Sequence, residues 1–347
     1  MKYLKVIIIL YCFTFLRLLE ADNAQTAFNE GIAQAEHYVT VKGDQLRYAF
    51  FKTPFETRGT VVFVQGRATF LEFYEVAIVP LLERGFDVWM YDLSGQGKSS
   101  RLVSGDHHSP ETIQHMQHVN EFDHYIDDLS SFVEEIVVPN TSGKLILGGY
   151  STGGHIALRY LAAKNQSHPF KAAFMISPLL ALKVPHSHLL PYLLWSASWF
   201  IDLESYISGA GHVDPLFKMP FKDNPYTSDE EGYAQLKELC ILNRPLVMGG
   251  VSYGWVKAAA NSLSTLWSTN AIQSIQIPVL ITTGGKDGVV DVSQNEHFVK
   301  RLPSGNHLYF EEGRHELFRE RAEIKNRMWV ELDEFLQETR LGSGADQ

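Results

Sequence analysis

The stretch Gly148-Gly149-Tyr150-Ser151-Thr152-Gly153-Gly154 sets a serine between glycines two residues away on either side. It follows the apolar run Leu145-Ile146-Leu147 and precedes a segment with helical spacing. Gly-x-Ser-x-Gly alone recurs by chance; the strand before it and the helix after it give it chemical meaning. A serine on a tight strand-to-helix turn is held in a strained backbone conformation, and side chains at the flanking glycines would strike the neighbouring strand and helix. Such a turn lifts the hydroxyl above the sheet edge. It also aims the first amides of the helix at the space where an attacked carbonyl oxygen gains negative charge.

A serine hydroxyl is a weak nucleophile at neutral pH, so it needs a base within hydrogen-bond reach and a third group to fix that base's tautomer. For a serine on this kind of turn the acid and then the histidine follow in the chain. The run Val279-Leu280-Ile281-Thr282-Thr283 leads into Gly284-Gly285-Lys286-Asp287-Gly288, putting Asp287 at the carboxyl end of a strand, with Asp291 as the nearby rival. The run His307-Leu308-Tyr309-Phe310 leads into Gly313-Arg314-His315-Glu316. The expected catalytic set is therefore Ser151, Asp287 and His315. A second oxyanion donor beside the Thr152 amide is expected from the loop after an earlier strand, where Val62-Phe63-Val64-Gln65-Gly66-Arg67 offers the Arg67 amide. The Arg67 side chain reads as a solvated loop arginine that could also reach a phosphate or carboxylate.

The elements that must carry these residues follow from periodicity. Tyr38 to Val41 and Gln45 to Lys52 alternate around Gly43-Asp44 as a hairpin would. Strands are expected at Thr60–Val64, Asp87–Tyr91, Leu145–Leu147, Ala172–Ile176, Val279–Thr283 and His307–Phe310. Helical spacing fits Phe73–Arg84, Glu121–Val137, Thr152–Ala163 and Arg321–Glu338. Alternating strands and helices imply an α/β fold with a mostly parallel central sheet flanked by helices. Between residues 177 and 274 that rhythm stops in an aromatic-rich stretch interrupted by several prolines, which reads as an inserted, largely helical cap. The core is then 36–176 and 275–340, and 341–347 reads as a disordered tail.

A net charge of −10 with no basic cluster argues against a nucleic-acid partner. Residues 1–24 have a short basic start, an apolar run from Val6 to Leu16, and small residues at Ala21 and Ala24, the pattern of a secretory signal peptide. A secreted or periplasmic protein is expected, the alternative being an uncleaved membrane anchor. Cys12 would leave with the signal, so Cys240 would have no disulfide partner. His107, His108, His115, His118 and His124 invite a metal reading, but no cysteine or Glu-x-x-His pattern completes a site, and neither metal nor cofactor is expected.

With these blocks in order, the chain resembles the branch of α/β-hydrolases containing lysophospholipases, monoacylglycerol lipases and serine aminopeptidases. The resemblance spans roughly Tyr38 to Leu336 and includes Gly85-Phe86-Asp87-Val88-Trp89-Met90-Tyr91-Asp92-Leu93-Ser94-Gly95-Gln96-Gly97. It implies a nucleophile at Ser151, an acid at Asp287, a base at His315, oxyanion amides at Arg67 and Thr152, and a structural role for Asp92. Where the family often has histidine before the first-loop glycine, this chain has Gln65. The apolar cap segments Pro178–Leu182 and Leu189–Ile201, with Gly249-Gly250-Val251-Ser252-Tyr253-Gly254-Trp255, point to a small lipid substrate and to transient contact of the cap with a membrane surface. Two alternatives stand: an aminopeptidase, using Glu204, Glu230, Glu231 or Glu238 to hold a substrate amine, or a non-catalytic lipid-binding module.

Overall fold

The computed structural model describes residues 21–104, 108–184, 192, 196 and 199–341. Its sheet has eight strands: β1 (Glu36–Val39), β2 (Gln45–Phe51), β3 (Gly59–Val64), β4 (Phe86–Tyr91), β5 (Leu145–Tyr150), β6 (Phe170–Ile176), β7 (Val279–Gly284) and β8 (Gly305–Phe310). Their spatial order is β1-β2-β4-β3-β5-β6-β7-β8. The β1–β2 and β2–β4 pairs are antiparallel, and every pair from β4 to β8 is parallel.

The helices are α1 (21–33), α2 (Glu75–Glu83), α3 (Pro110–His115), α4 (Asp123–Ser131), α5 (Thr152–Lys164), α6 (Glu230–Leu242), α7 (Tyr253–Leu266), α8 (Thr269–Ser274), α9 (Asn295–Arg301) and α10 (Ala322–Leu341). The helix expected over 121–137 divides into α4 and a wider π turn, Phe132–Val137, which stops at Val138-Pro139, where the proline has no amide to continue the ladder.

Successive strand residues point to opposite faces, so the β-branched runs feed two cores. Val61, Phe63, Val88, Met90 and Phe174 pack with Ala24, Phe28, Ile78, Met328 and Leu332 on one face. Val62, Val64, Leu147, Met175 and Ile281 pack with Leu129, Ile156, Leu158 and Phe298 on the other. The inner strands β3, β5 and β7 are buried on both faces and lack the alternation of a half-exposed strand, whereas the edge strand β8 leaves Asn306 and Tyr309 exposed.

Between β6 and β7 the described residues add no strand to the sheet. Of the helices there, α7 buries Trp255, Ala258, Ala259 and Leu266 in the second core. Single bridges join Val251 to Gln117 and Ser252 to Tyr206. Most of the apolar stretch expected to form the cap's lipid-facing wall, 185–191 and 193–195 with 197–198, lies outside the described residues, as do 1–20 and 342–347. Tyr192, Trp199 and Phe200 are strongly exposed. No helix among the described residues is long and apolar enough to cross a membrane.

Candidate active site

The turn from β5 to α5 places Ser151 at φ 53°, ψ −118°, a left-handed conformation that a side chain adopts only under strain. Its surroundings enforce this. A Cβ on Gly153 would collide with the carbonyls of Val64 and Gln65, so β3 can approach the first turn of α5 only if residue 153 has no side chain. The Ser151 amide donates to the Ile176 carbonyl at 3.0 Å, and the Leu179 amide donates back to the Ser151 carbonyl at 2.9 Å.

Two loops at the carboxyl edge of the sheet bring the partners. The loop after β7 carries Asp287 and the loop after β8 carries His315, and the Lys286 amide donates to the Gly313 carbonyl at 2.8 Å, stitching the loops together. Ser151 Oγ lies 3.0 Å from His315 Nε2, and His315 Nδ1 lies 2.6 Å from Asp287 Oδ2. The other Asp287 oxygen accepts from the amides of Val289 at 2.7 Å and Val290 at 3.0 Å. All three side chains are buried, although 164 residues separate serine from histidine. Burial pushes the Asp287 carboxyl up, but His315 beside it, and the hydrogen bonds from His315, Val290 and Val289, outweigh that and hold it below the usual carboxylate range. Asp291, the rival acid, turns instead to the Ser293 amide at 2.9 Å.

The loop after β3 is built to leave one amide open. Gly66 N–H donates to the Tyr74 hydroxyl at 2.5 Å and Ala68 N–H to Gln96 Oε1 at 2.6 Å. The Arg67 amide between them has no partner among the described residues. Gln65, standing where the resembled family often has histidine, donates from Nε2 to the Thr69 carbonyl at 3.2 Å and so closes the loop by a different bond. Asp92 holds this region from below, accepting from the Leu71 amide at 2.8 Å and the Lys98 amide at 2.9 Å.

Behind the histidine, Tyr150 hydrogen-bonds Glu316, which pairs with Arg319 at 3.1 Å, both buried. Arg319 also donates to the Phe73 carbonyl at 2.7 Å. Replacing Glu316 with Gln leaves the Arg319 charge buried without its counter-ion. Breaking a buried pair on one side costs about 3–5 kcal/mol, so the midpoint of denaturant unfolding should fall accordingly. A midpoint equal to the parent's would refute the pairing.

Ser151 and His315 open onto a cavity of about 70 Å³ lined also by Arg67, Asp214, Tyr226 and Leu236. A larger concavity, about 760 Å³, lies at the other end of the strands, against Gly59, Thr60 and Asp87, away from the serine. Sequence reasoning overlooked Asp214 and Tyr226, because they sit in irregular chain with no motif around them. The carboxylates weighed for holding an amine are elsewhere: Glu204 accepts from Ser104 at 2.7 Å, and Glu230, Glu231 and Glu238 are exposed on α6. Cys240 also lines the cavity, its thiol pushed up to about 12 by burial, so it offers no thiolate.

Among the described residues, which leave out His107, the histidines do not converge as a group, although His108 and His118 both face Glu204, at 3.5 and 3.8 Å. His115 Nδ1 faces the Val247 carbonyl at 2.9 Å, and His118 is taken up by Ser252 at 2.8 Å and Asn120 at 3.2 Å. His124 stands apart, with Asp44 and Asp128, in a cluster of three possible metal ligands remote from the serine.

Comparison with known proteins places this geometry among relatives. The family described as serine aminopeptidase, S33 matches residues 56–322. A probable lysophospholipase L2 of Haemophilus influenzae is 24% identical over 280 residues, covering 80% of this chain and 84% of the relative. Lysophospholipase L2 of Escherichia coli is 26% identical over 267 residues, 76% of this chain and 73% of that one. Among solved structures, a soluble variant of monoglyceride lipase from Saccharomyces cerevisiae bound to a substrate analogue superposes with a TM-score of 0.66 at 20% identity, covering 88% of this chain and 96% of the other. The monoacylglycerol lipase of Paleococcus ferrophilus gives 0.63 at 19% identity, covering 84% and 98%.

Proposed function

The chain belongs to the serine aminopeptidase, S33 family of α/β-hydrolases, and we propose that it hydrolyses carboxylic esters of lipids, lysophospholipids or monoacylglycerols, through an acyl-enzyme on Ser151. The observation that carries this reading is the buried hydrogen-bonded line from Ser151 Oγ through the His315 ring to Asp287. With Nδ1–H donated to Asp287, the imidazole is fixed in the tautomer whose Nε2 accepts the serine proton. Ser151 Oγ then attacks the ester carbonyl carbon, and the oxygen that gains charge sits against the amides of Arg67 and Thr152. His315 returns the proton to the departing alcohol, and water repeats the sequence to free the fatty acid.

The lysophospholipase and monoglyceride lipase names among the relatives support the lipid class. A cavity of about 70 Å³ is far smaller than the usual ligand site. In this reading the cap residues must shift to admit an acyl chain, and exposed Trp199 and Phe200 would meet the membrane surface that supplies it. The basic and apolar start over 1–24 is read as an export signal, with cleavage near Ala21 favoured over Ala24, because Ala24 is fully buried in the core.

Two measurements test the proposal. A fluorophosphonate should label the protein once, at Ser151, by peptide mass. Against a homologous series of acyl esters, kcat/KM should climb roughly fourfold for each methylene the enzyme buries, at ~0.8 kcal/mol apiece, until the trough is full. Equal turnover of short and long chains would overturn the lipid assignment, and no labelling would overturn the esterase.

A further inference from the structure

Of the charged side chains that line the serine cavity, Arg67 and Asp214 have no ionic partner among the described residues. Arg67 is half-buried, and among the described residues one of its five N–H groups is committed: Nη1 donates to Gln117 Oε1 at 3.0 Å. Gln117 is itself buried and held from behind by its bond to the Gly249 carbonyl at 2.5 Å, and the guanidinium stands 5.8 Å from the Trp255 ring centroid. The fork is therefore aimed by buried neighbours rather than left to solvent. Asp214 accepts from the Leu216 amide at 2.7 Å and has no cation in ion-pair contact among the described residues. Burial pushes its carboxyl upward, and the charge of Arg67, near enough to be felt, pulls the other way.

Charges withdrawn from water are ordinarily paired, because the desolvation cost is otherwise uncompensated. Here a cation and an anion line the same small cavity without meeting each other. A ligand carrying both charges, held apart by its own bonds, would satisfy both.

We propose that Arg67 and Asp214 form a head-group site for zwitterionic lysophospholipids, the guanidinium taking the phosphate and the carboxylate the terminal ammonium. The assignment rests on the ester-hydrolase reading of Ser151. A planar guanidinium suits a phosphate because two parallel N–H groups meet two oxygens. The same glycerol that presents its acyl ester to Ser151 carries the phosphodiester on another carbon, so one molecule holds a complement for each of three side chains that line one cavity. A monoacylglycerol has neither charge and would leave both side chains unpaired, which is the arrangement that discriminates most strongly between related substrates.

The test uses four esters with one common acyl chain: lysophosphatidylethanolamine, lysophosphatidylglycerol, lysophosphatidic acid and the monoacylglycerol. Each kcat/KM is divided by that of the monoacylglycerol, so that any disturbance of the oxyanion amide at residue 67 cancels. Arg67→Gln should lower the ratio for all three phosphate esters by about 10- to 100-fold, the worth of hydrogen bonds to a charged group. Arg67→Lys should fall between, keeping the charge but losing the fork. Asp214→Asn should lower only the ethanolamine ratio by a similar factor, and Asp214→Glu should restore part of it. Thermal unfolding of each variant distinguishes a lost contact from a lost fold.

Ratios unchanged in both Arg67→Gln and Asp214→Asn, with the parent still hydrolysing these esters, would overturn the head-group site and leave the esterase standing. A parent enzyme that turns over none of the four would overturn the ester-hydrolase reading itself.

Discussion

Ser151→Ala should abolish hydrolysis of any ester the parent accepts, by a factor on the order of 10⁶ in kcat, while the protein remains folded. The change removes one oxygen from a buried site and nothing else. Among the described residues its one side-chain partner is His315 at 3.0 Å; Nε2 of that ring loses this contact, but Nδ1 keeps its bond to Asp287 at 2.6 Å, so the ring stays anchored. Alanine tolerates φ 53° about as poorly as serine does, so the strain of the turn is common to both. The measurement is kcat with the best substrate from the acyl series, alongside thermal melts of both proteins. A variant retaining a tenth of the parent's rate would rule out a serine nucleophile at this position.

Asp287→Asn should cost on the order of 10⁴-fold in kcat with little change in KM. The geometry explains why an isosteric change is so damaging. Oδ1 accepts from the amides of Val289 and Val290, so the asparagine oxygen is obliged to occupy that side. Its amide nitrogen then faces His315 Nδ1 as a donor. The imidazole must present a lone pair there, which moves its proton to Nε2, the atom that has to accept from Ser151. The base is present and correctly placed but holds a proton where it needs a lone pair.

The same substitution has a signature in pH. The Asp287 carboxyl lies below the usual carboxylate range in the folded protein, so it adds stability above the ordinary carboxylate value and loses it as pH falls through its own depressed value. Parent and Asp287→Asn should therefore converge in unfolding free energy at strongly acidic pH and separate as pH rises. Parallel curves across that window would show that the carboxylate is not held ionised by His315 and the two amides.

Much of the scaffold was legible in the chain. Strand runs at Thr60–Val64, Asp87–Tyr91 and Val279–Thr283 match β3, β4 and β7 to within one residue, since a strand buried on both faces admits almost nothing but apolar side chains. The nucleophile turn was legible for a steric reason: where β3 passes over α5 only glycine fits, and glycine leaves a mark in sequence. Boundaries were less clear where helices change character, as at Phe132–Val137, because widening a helical turn alters no residue pattern.

What the amino-acid order determined by itself was local: the alternation of strands and helices, the strained turn at Ser151, and the positions of Asp287 and His315 just past strand ends. Each depends on neighbours within a few residues, where sterics and hydrophobic period act directly. The tertiary structure alone set Asp287 rather than Asp291 against His315, left the amide of Arg67 open by occupying those on either side, and set Arg67 and Asp214, 147 positions apart, around one cavity. Those outcomes depend on which distant groups share a low-dielectric space, and a charge meets its surroundings only after the chain has closed around it.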